Sequence, residues 1–530
     1  MSTAEREIKF TPPAGFHLPP LTDPGGGVFA SPETTATLTA TYYDTADLRI
    51  TRSGASLRYR APEGWTVKLP HLDDHGGRDG DDEVLARDEH HVAGAPDVPP
   101  DAALDLVRSR TRGASLAVVA TLRSTRATVV LHDAEGTKLG EVVDDDVEAT
   151  FPNPGPDPGP DPGPDSASDP DSDSDQVTAS VRFGEVELEL GAGCTEAHRL
   201  AVTARLRSAG LGPVDPTPKV VRALGDAAAR PGDVEVPELA EGFPSIDDVV
   251  HRAVASSVDR LITYDPAARL GEDPEGVHQA RVATRRLRSD LRTFRSLLDE
   301  RWAAELSDEL RWLGDVFGAV RDADVLLERL DAKLVELPEI DREPARRLLD
   351  RLRTDHERGR DQMLDALRSD RYDALLDRVV VAAARPRFLL RVGDADDAEI
   401  LRRLARRPWK RLAAAVDALA DDPSDLALHG VRIRAKRARY AAEAVAPAFG
   451  KPARAFARAV TDLQDILGEH QDAIVAAEWL RRAAAGTADE STGFAAGQLA
   501  AIEYRQAERA RRAWPKAWRS ASRKRLRSWL

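Results

Sequence analysis

The chain has 530 residues, 75 Lys+Arg against 90 Asp+Glu and a formal net charge of −15, and 42% of its residues are hydrophobic. This length indicates two or more domains rather than one core, and the hydrophobic content excludes a wholly disordered chain. The single Cys194 excludes an intrachain disulfide and a cysteine zinc cluster, and no uncharged apolar run of about 18 residues indicates a membrane span.

The charge is divided unevenly along the chain. Residues 243–530 hold 53 Lys+Arg and 48 Asp+Glu, which leaves 22 against 42 in residues 1–242. Part of this acidic excess lies in the Pro-, Gly-, Asp- and Ser-rich stretch 152–175, which predicts a disordered insert. A second break, in a linker predicted at 226–244, separates a strand-rich part from a helical part.

The domain predicted at 1–225 has a hydrophobic period close to two, in segments such as TATLTATYYDT, SLRYR and VRFGEVELEL, which indicates an antiparallel sheet or barrel. Because successive side chains of a strand point to opposite faces, three strands each carry a charged face. These faces consist of Glu5, Glu7 and Lys9, of Arg58 and Arg60, and of Glu185, Glu187 and Glu189. They are either solvent faces of a one-sided sheet, or they meet inside a barrel that gathers acids for metal ions and bases for an anion.

Lysine usage favours an anion site. Only ten of the 75 cationic residues are lysines, and residues 1–242 hold Lys9, Lys68, Lys138 and Lys219. A compact ammonium group suits a point charge on phosphate, whereas arginine suits bidentate contacts. Three of these four lysines lie in the segments that follow.

Several ordered motifs make the first domain resemble the CYTH domain of the triphosphate tunnel metalloenzyme family. They are E-x-E-x-K at 5–9, YYDTADLRITRSGASLRYR at 42–60, TVKLP at 66–70, LRSTR at 122–126, GEVELEL at 184–190 and PKVVRAL at 218–224. The resemblance implies a closed antiparallel barrel whose tunnel binds triphosphate and a divalent metal ion. Activities of the family include inorganic triphosphatase, thiamine triphosphatase and adenylyl cyclase.

The resemblance also implies the site residues. Glu5, Glu7 and Lys9 would be catalytic, and the metal ligands would be Glu5, Glu7, Asp145, Glu185, Glu187 and Glu189. Phosphate oxygens would be bound by Lys9, Arg58, Arg60, Lys68, Arg123, Arg126 and Lys219. Asp145 is chosen from three consecutive aspartates because it lies two residues before Val147, and which of the three glutamates stays outside the metal's ligands is left open. Such oxygen ligands select Mg²⁺ or Mn²⁺, and the implied reaction is metal-assisted phosphoryl transfer to water.

The domain predicted at 245–530 is helical. In the segment 277–298, Leu287, Leu291, Phe294 and Leu298 form an apolar stripe with a spacing of three and four residues. Another face of the same helix is basic, with His278, Arg281, Arg285, Arg288, Arg292 and Arg295. A basic face is ordinarily a solvated one.

A repeat of this basic face changes that interpretation. His278, Arg281, Arg285, Arg286 and Arg288 recur 151 residues later as His429, Arg432, Lys436, Arg437 and Arg439. The following segments, 313–325 and 463–475, match at an offset of 150. Two related helical halves, at about 245–400 and 401–530, are therefore predicted.

This second domain resembles the CHAD domain, the conserved-histidine α-helical domain. The resemblance implies paired helical bundles whose basic faces form a polyphosphate-binding surface, lined by the ten repeated residues. Clustered guanidinium groups suit a polyanion with a repeating charge. For the two histidines, a structural role near the helix start is the alternative, and a metal role is disfavoured because neither has a second ligand one turn away.

We therefore predict a multidomain α+β protein that hydrolyses inorganic triphosphate or a related short triphosphate with Mg²⁺ or Mn²⁺ and binds polyphosphate. The alternatives are a non-catalytic polyphosphate-binding scaffold, and an adenylyl cyclase or thiamine triphosphatase that uses the same tunnel. Nucleic acid is a disfavoured partner because the basic faces lack interleaved aromatic residues. The amino terminus lacks a signal-peptide pattern, so we expect a cytoplasmic location, with association with polyphosphate granules left open.

Overall fold

The structure is a computed structural model that describes residues 2–21, 27–72, 84–152, 180–389 and 396–530. The predicted disordered insert lies outside the described residues from position 153 onward. The chain forms two compact units, Met1–Asp233 and Val234–Leu530.

The first unit is a closed antiparallel barrel, as predicted. Its strands are β1 (Ser2–Phe10), β2 (Phe29–Ala30), β3 (Thr34–Asp44), β4 (Ser56–Arg60), β5 (Gly64–Pro70), β6 (Leu85–Val92), β7 (Ala117–His132), β8 (Lys138–Thr150) and β9 (Ser180–Leu190). The strands pair in the order β7, β3, β4, β5, β6, β1, β9 and β8, and β8 pairs again with β7, which closes eight strands into a ring. The short β2 adds to β7. Closure leaves these eight strands without a free edge.

Among the described residues, four α-helices accompany the barrel. They are α1 (Arg49–Arg52), α2 (Asp101–Thr111), α3 (Glu196–Ser208) and α4 (Lys219–Leu224). The outer apolar faces of β1, β8 and β9 pack with Val202 and Leu206 of α3. Val220 and Ala223 of α4 pack with apolar side chains of β3, β7 and β8. Because Lys219 and Val220 also line the barrel cavity, α4 forms part of the wall of the site.

The second unit is helical, which confirms that prediction. Its helices are α5 (Ile246–Leu270), α6 (Pro274–Thr293), α7 (Glu300–Lys333), α8 (Glu339–Leu367), α9 (Asp370–Ala384), α10 (Asp397–Asp417), α11 (Asp425–Phe449), α12 (Lys451–Ala485) and α13 (Glu490–Ala521). One hydrophobic core includes residues of every helix from α5 to α13, and α11 packs against both α6 and α10. None of the described helices is long and apolar enough to cross a bilayer.

The two repeated helices begin in the same way. The side chain of Asp273 caps α6 by accepting a hydrogen bond from the Glu275 amide, and Ser424 caps α11 by accepting one from the Ala427 amide. His278 and His429 each lie five residues after their cap. The local sequence therefore sets both basic faces at equivalent positions along their helices.

Candidate functional site

A cavity of about 330 Å³ lies inside the barrel, and most of its lining is charged. Its carboxylates are Glu5, Glu7, Glu63, Glu89, Glu141, Glu187 and Glu189, and its cations are Lys9, Arg58, Arg60, Lys68, Arg87, Arg126 and Lys219. Every predicted tunnel residue lines this cavity except Arg123, Asp145 and Glu185. Of the two interpretations of the charged strand faces, the structure therefore shows the one in which they meet inside a barrel.

Lys9 is the most enclosed cation of the cavity. It lies directly opposite Glu187 in the pairing of β1 with β9, and these two side chains form an ion pair. Its Nζ is also 3.1 Å from a carboxylate oxygen of Glu7 and 3.3 Å from one of Glu185. Burial lowers the pKa of Lys9, but the carboxylates of Glu187, Glu185 and Glu7 together have the larger effect. They raise this pKa to well above its usual value. Lys9 therefore stays cationic at physiological pH.

Lys219 and Arg126 hold the buried acids beside the cavity. The Nζ of Lys219 is 2.6 Å from Oδ2 of Asp145 and 2.7 Å from Oε2 of Glu187. Arg126 donates two hydrogen bonds to Asp145, at 3.0 and 2.8 Å. Burial raises the pKa of Asp145, but Lys219 and Arg126 lower it below its usual value. Of the three consecutive aspartates, Asp145 is the fully buried one, and it lies beside the predicted phosphate ligands.

Three further ion pairs join cations of the cavity to acids from neighbouring strands and turns. The Nζ of Lys68 is 2.5 Å from Oε2 of Glu5. Arg58 lies 3.5 Å from Glu89, and Arg60 lies 2.5 Å from Glu63. An anionic ligand must therefore compete with carboxylates for these cations, or be joined by a metal ion that takes the carboxylates.

Two carboxylates of β9 have raised pKa values. Burial raises the pKa of Glu189, and together with the negative charges of Glu187, Glu141 and Glu5 it brings this pKa to about 7. Among the described residues, no lysine or arginine nitrogen lies within 4 Å of Glu189. Burial is also the main reason that the pKa of Glu185 rises to about 7, and its Oε2 has no hydrogen-bond partner. Of the two, Glu189 is therefore the one without a nearby cation among the described residues, because Glu185 lies within 3.5 Å of Arg222 and 3.3 Å of both Lys9 and Lys219.

The donor atoms of the cavity fit a hard divalent cation. All the candidate ligands are carboxylate oxygens, which suit Mg²⁺ and Mn²⁺ better than softer metals. The uncompensated charge around Glu189 is of the kind that such a cation would neutralise. Within the described part of the chain, no three acidic, histidine or cysteine side chains are already gathered as a metal cluster. Metal binding must then exchange some of the ion pairs made by Lys9 and Lys68.

The structure corrects the prediction for Arg123. The side chain of Arg123 is exposed, and it is absent from the lining of the cavity, which contains Arg126 of the same strand. The two arginines are separated by three positions, and side chains at odd separations point to opposite faces of a strand. Arg123 therefore faces away from the tunnel.

Two cations of the site were missed from the sequence. Arg87 lies on β6 and is only 8% exposed, and no carboxylate of the described residues lies within 4 Å of it. Its signal was the alternation of Arg87, Glu89 and His91 along LARDEHHV. Arg222 lies one turn after Lys219 on α4, with Nη2 3.0 Å from Asp215 and 3.5 Å from Glu185. Its signal was the spacing of three residues from Lys219.

A second candidate site lies where α6 meets α11 in the helical unit. Arg281, Arg285, Arg432 and Lys436 form what we call the shared basic surface, since each of the first three acts electrostatically on Lys436. Arg281 pairs with Asp322 at 2.7 Å, and the repeat-related Arg432 lies 3.9 Å from Asp472.

The repeat also relates the glycines that pack beside these arginines. Cβ atoms placed at the buried Gly318 and Gly468 would lie 3.6 Å and 3.5 Å from the guanidinium groups of Arg281 and Arg432. The 150-residue repeat therefore extends from the basic residues to the helix positions that pack beside them.

Burial lowers the pKa of Lys436, and together with the positive charges of Arg432 and Arg285 it brings this pKa to about 7. Arg285 also donates a 3.5 Å hydrogen bond to the hydroxyl of Tyr440. The Nε atoms of Arg281, Arg285 and Arg432 are buried without a hydrogen-bond partner. Such unsatisfied donors beside like charges fit an anionic ligand.

The other predicted residues of this surface have varied surroundings. His278 is half-buried, and burial together with Arg321 lowers its pKa. The Nδ1 of His429 is buried without a hydrogen-bond partner. Burial and Arg311 lower the pKa of Arg288, whereas Arg439 lies 3.5 Å from Glu443 and over the ring of Tyr440.

Arg286 and its repeat partner Arg437 differ most. Arg286 forms ion pairs with Asp290, at 3.2 Å, and with Glu443 of α11. Arg437 is exposed and has no ion pair among the described residues. The sequence pattern treats the two as equivalent, but Arg286 joins two helices and Arg437 is open to a ligand.

Comparisons with known proteins match both domains. The CYTH domain model matches residues 3–193 and the CHAD domain model matches residues 252–481, which confirms both resemblances and their order. "Uncharacterized protein Rv2226" of Mycobacterium tuberculosis (strain ATCC 25618 / H37Rv) is 33% identical over 489 residues, or 90% of this chain and 88% of that protein. Protein MT2285 of strain CDC 1551 / Oshkosh is similar to the same extent.

Two solved structures are similar to part of the chain. PptA from Streptomyces chartreusis is 28% identical with a TM-score of 0.45, covering 52% of this chain and 99% of that chain. The CHAD domain from the plant Ricinus communis is 27% identical with a TM-score of 0.43, covering 54% of this chain and 94% of that chain.

Proposed function

Because the chain belongs to the family of proteins in which a CYTH domain precedes a CHAD domain, we propose that its barrel hydrolyses inorganic triphosphate or a related short triphosphate, and that its helical unit binds polyphosphate. CYTH domains are generally triphosphate tunnel metalloenzymes, either hydrolases or cyclases, and depend on divalent metal ions.

The observation that carries the triphosphatase proposal is the combination of cations and carboxylates in one small cavity. Lys9, Lys219 and Arg126 converge from three elements of the barrel, so that they can contact several phosphate oxygens together. A volume of about 330 Å³ is near the lower end of ligand pockets, which favours a compact substrate. A simple anion binder would not need the carboxylates, because they oppose an anion.

The cations and the carboxylates of the cavity would have different roles in the reaction. Lys9, Arg126 and Lys219 would stabilise the charge that develops on the transferred phosphate group. Glu5, Glu7, Glu187 and Glu189 line the cavity and would hold Mg²⁺ or Mn²⁺. A bound divalent ion would polarise the phosphate and lower the pKa of a water molecule. The same carboxylates can then orient that water, so no covalent nucleophile is required.

Metal removal tests this proposal. Phosphate release is measured from triphosphate, ATP, thiamine triphosphate and long-chain polyphosphate, each with Mg²⁺, with Mn²⁺ and after EDTA treatment. We expect triphosphate to be turned over fastest, EDTA to abolish turnover, and added metal to restore it. Faster turnover of ATP or thiamine triphosphate would identify a different substrate. Polyphosphate binding without turnover of any substrate would favour the non-catalytic scaffold.

The shared basic surface predicts a pH dependence of polyphosphate binding. Free Lys436 loses its proton near pH 7, whereas a bound polyanion favours the protonated form. Binding therefore takes up a proton, so affinity is highest below pH 7 and falls by up to about tenfold per pH unit above it. The charges that face Lys436 are those of Arg432, Arg281, Arg285 and Asp472, and Asp472 opposes the arginines.

Lys436→Arg is the control, because arginine stays protonated throughout this range. Isothermal titration calorimetry of polyphosphate binding between pH 6 and about pH 9 measures both affinity and proton uptake. We expect the wild-type affinity to fall across this range and the Lys436→Arg affinity to change much less. Equal slopes for the two proteins would show that Lys436 is not the titrating group.

A further inference from the structure

The crossing of α6 and α11 has two sides that the repeat relates to each other. On one side, Arg286 pairs with Asp290 of its own helix and with Glu443 of the facing helix. On the other side, Arg437 takes the place of Arg286, because it lies 151 residues later. The residues that correspond to Asp290 and Glu443 on this second side are Ala441 and Arg292. The repeat therefore places an arginine where the first side has the neutralising glutamate.

Two more arginines join this second side. α11 packs between α6 and α10, and α10 contributes Arg411 while α11 contributes Arg434. Partial burial of the exposed Arg437 lowers its pKa, and the positive charges of Arg292, Arg434 and Arg411 lower it further, so each of these three arginines acts on Arg437. We call Arg292, Arg411, Arg434 and Arg437 the lateral arginine cluster.

The lateral arginine cluster has no counter-charge of its own. Over the described ranges, none of its four guanidinium groups lies within 4 Å of a carboxylate, and Arg434 donates only to the backbone oxygen of Gly430. Some exposed arginines elsewhere in this unit have acidic partners, as in the pairs Arg301–Glu305 and Arg371–Glu309. Repulsion among four unpaired cations destabilises the fold unless an anion joins them.

The cluster is continuous with the shared basic surface. Arg285, Arg288 and Arg292 are spaced by three and four residues on α6, so they lie on one face of that helix. The charge of Arg288 also acts on Arg292. On the opposite side of the crossing, Asp290 and Glu443 neutralise Arg286, so the positive charge does not continue there.

We propose that the lateral arginine cluster is a second anion site, and that a long phosphate chain bound at the shared basic surface extends from it in this one direction. This inference rests on the proposed binding of polyphosphate by the helical unit. A short chain fills the shared surface alone, whereas a longer chain also reaches the lateral cluster. Affinity should then rise with chain length because of contacts on a single side.

The test compares chain lengths in the full-length protein. Binding of tripolyphosphate, medium-chain and long-chain polyphosphate is measured for wild type and for the double variant Arg292→Gln/Arg411→Gln, whose two positions are exposed. We expect the double variant to bind long chains about 10- to 100-fold more weakly, because two solvent-exposed charge contacts, each weaker than a buried one, are lost, and to bind tripolyphosphate as wild type does. The salt dependence of long-chain binding should also become shallower.

The control variant Arg351→Gln/Arg505→Gln removes two exposed arginines of α8 and α13 and should bind all lengths as wild type does. If wild type binds no polyphosphate, the proposed function fails. If wild type prefers long chains and Arg292→Gln/Arg411→Gln keeps that preference, only the lateral site fails. An oligonucleotide of similar charge is tested in the same way. If it binds wild type as tightly as long-chain polyphosphate does, and the double variant loses this binding, the cluster is a nucleic-acid site and the proposal is overturned.

Discussion

We expect Arg126→Gln to lower the turnover of triphosphate by about 10²- to 10³-fold, the usual cost of removing one donor that stabilises transition-state charge. Arg126 lines the cavity and donates two hydrogen bonds to Asp145. Its guanidinium group also lies 3.6 Å from Glu187. Glutamine keeps most of the side-chain volume but removes the positive charge. The loss should therefore fall mainly on kcat.

The matched control is Arg123→Gln. Arg123 belongs to the same strand and has the same chemistry, but its side chain is exposed on the outer face. Its replacement should leave turnover unchanged and alter stability by less than about 0.5 kcal/mol. Steady-state kinetics of both variants, with circular dichroism to confirm folding, makes the comparison. Equal losses would show that the assignment of the two strand faces is wrong, and no loss in Arg126→Gln would remove it from the phosphate ligands.

Arg126→Lys adds a further distinction. Lysine keeps the charge but cannot make the two parallel hydrogen bonds that arginine makes to a carboxylate or phosphate. We expect turnover between those of wild type and Arg126→Gln. Asp145 keeps its 2.6 Å contact with Lys219 in either variant, so the barrel should remain folded. Full activity in Arg126→Lys would mean that only charge matters at this position.

The alternation of strand side chains explains how much of the barrel site could be predicted from sequence. Glu5, Glu7 and Lys9 are separated by two positions, so any strand places them on one face, and the structure lines the cavity with all three. Arg123 and Arg126 lie in one family motif but are an odd number of positions apart. The motif suggested both, whereas strand geometry allows only one to point inward.

The helical site was less predictable, because its charges are set by long-range partners. Helical spacing identified Arg286 as part of a basic face, but it does not show that Glu443 lies against it across the crossing of α6 and α11. These residues are 157 positions apart, and only the packing of the two helices joins them. The repeat predicted that Arg286 and Arg437 are equivalent. They are not, because the positions that correspond to the acidic partners of Arg286 hold Ala441 and Arg292.

We expect replacement of the shared basic surface to have the largest effect on polyphosphate binding. In the variant Arg281→Gln/Arg285→Gln/Arg432→Gln/Lys436→Gln, four donors are lost at the place where the two halves meet. Each hydrogen bond to a charged group contributes about 1.5–3 kcal/mol to binding. The loss of only two such bonds would therefore weaken binding more than about 100-fold. Turnover of triphosphate should persist, because its proposed site lies in the barrel.

Arg286→Gln is the informative control, since it removes a cation from the same helix that is already neutralised. Asp290 is fully buried, and without Arg286 it keeps only a 3.4 Å hydrogen bond from Ser257. Breaking a buried ion pair costs about 3 kcal/mol or more, so the unfolding midpoint in urea should fall. Polyphosphate binding by the folded protein should change little. Weak binding in Arg286→Gln with an unchanged unfolding midpoint would mean that Arg286 contacts phosphate after all, and that its acidic partners release it when the chain binds.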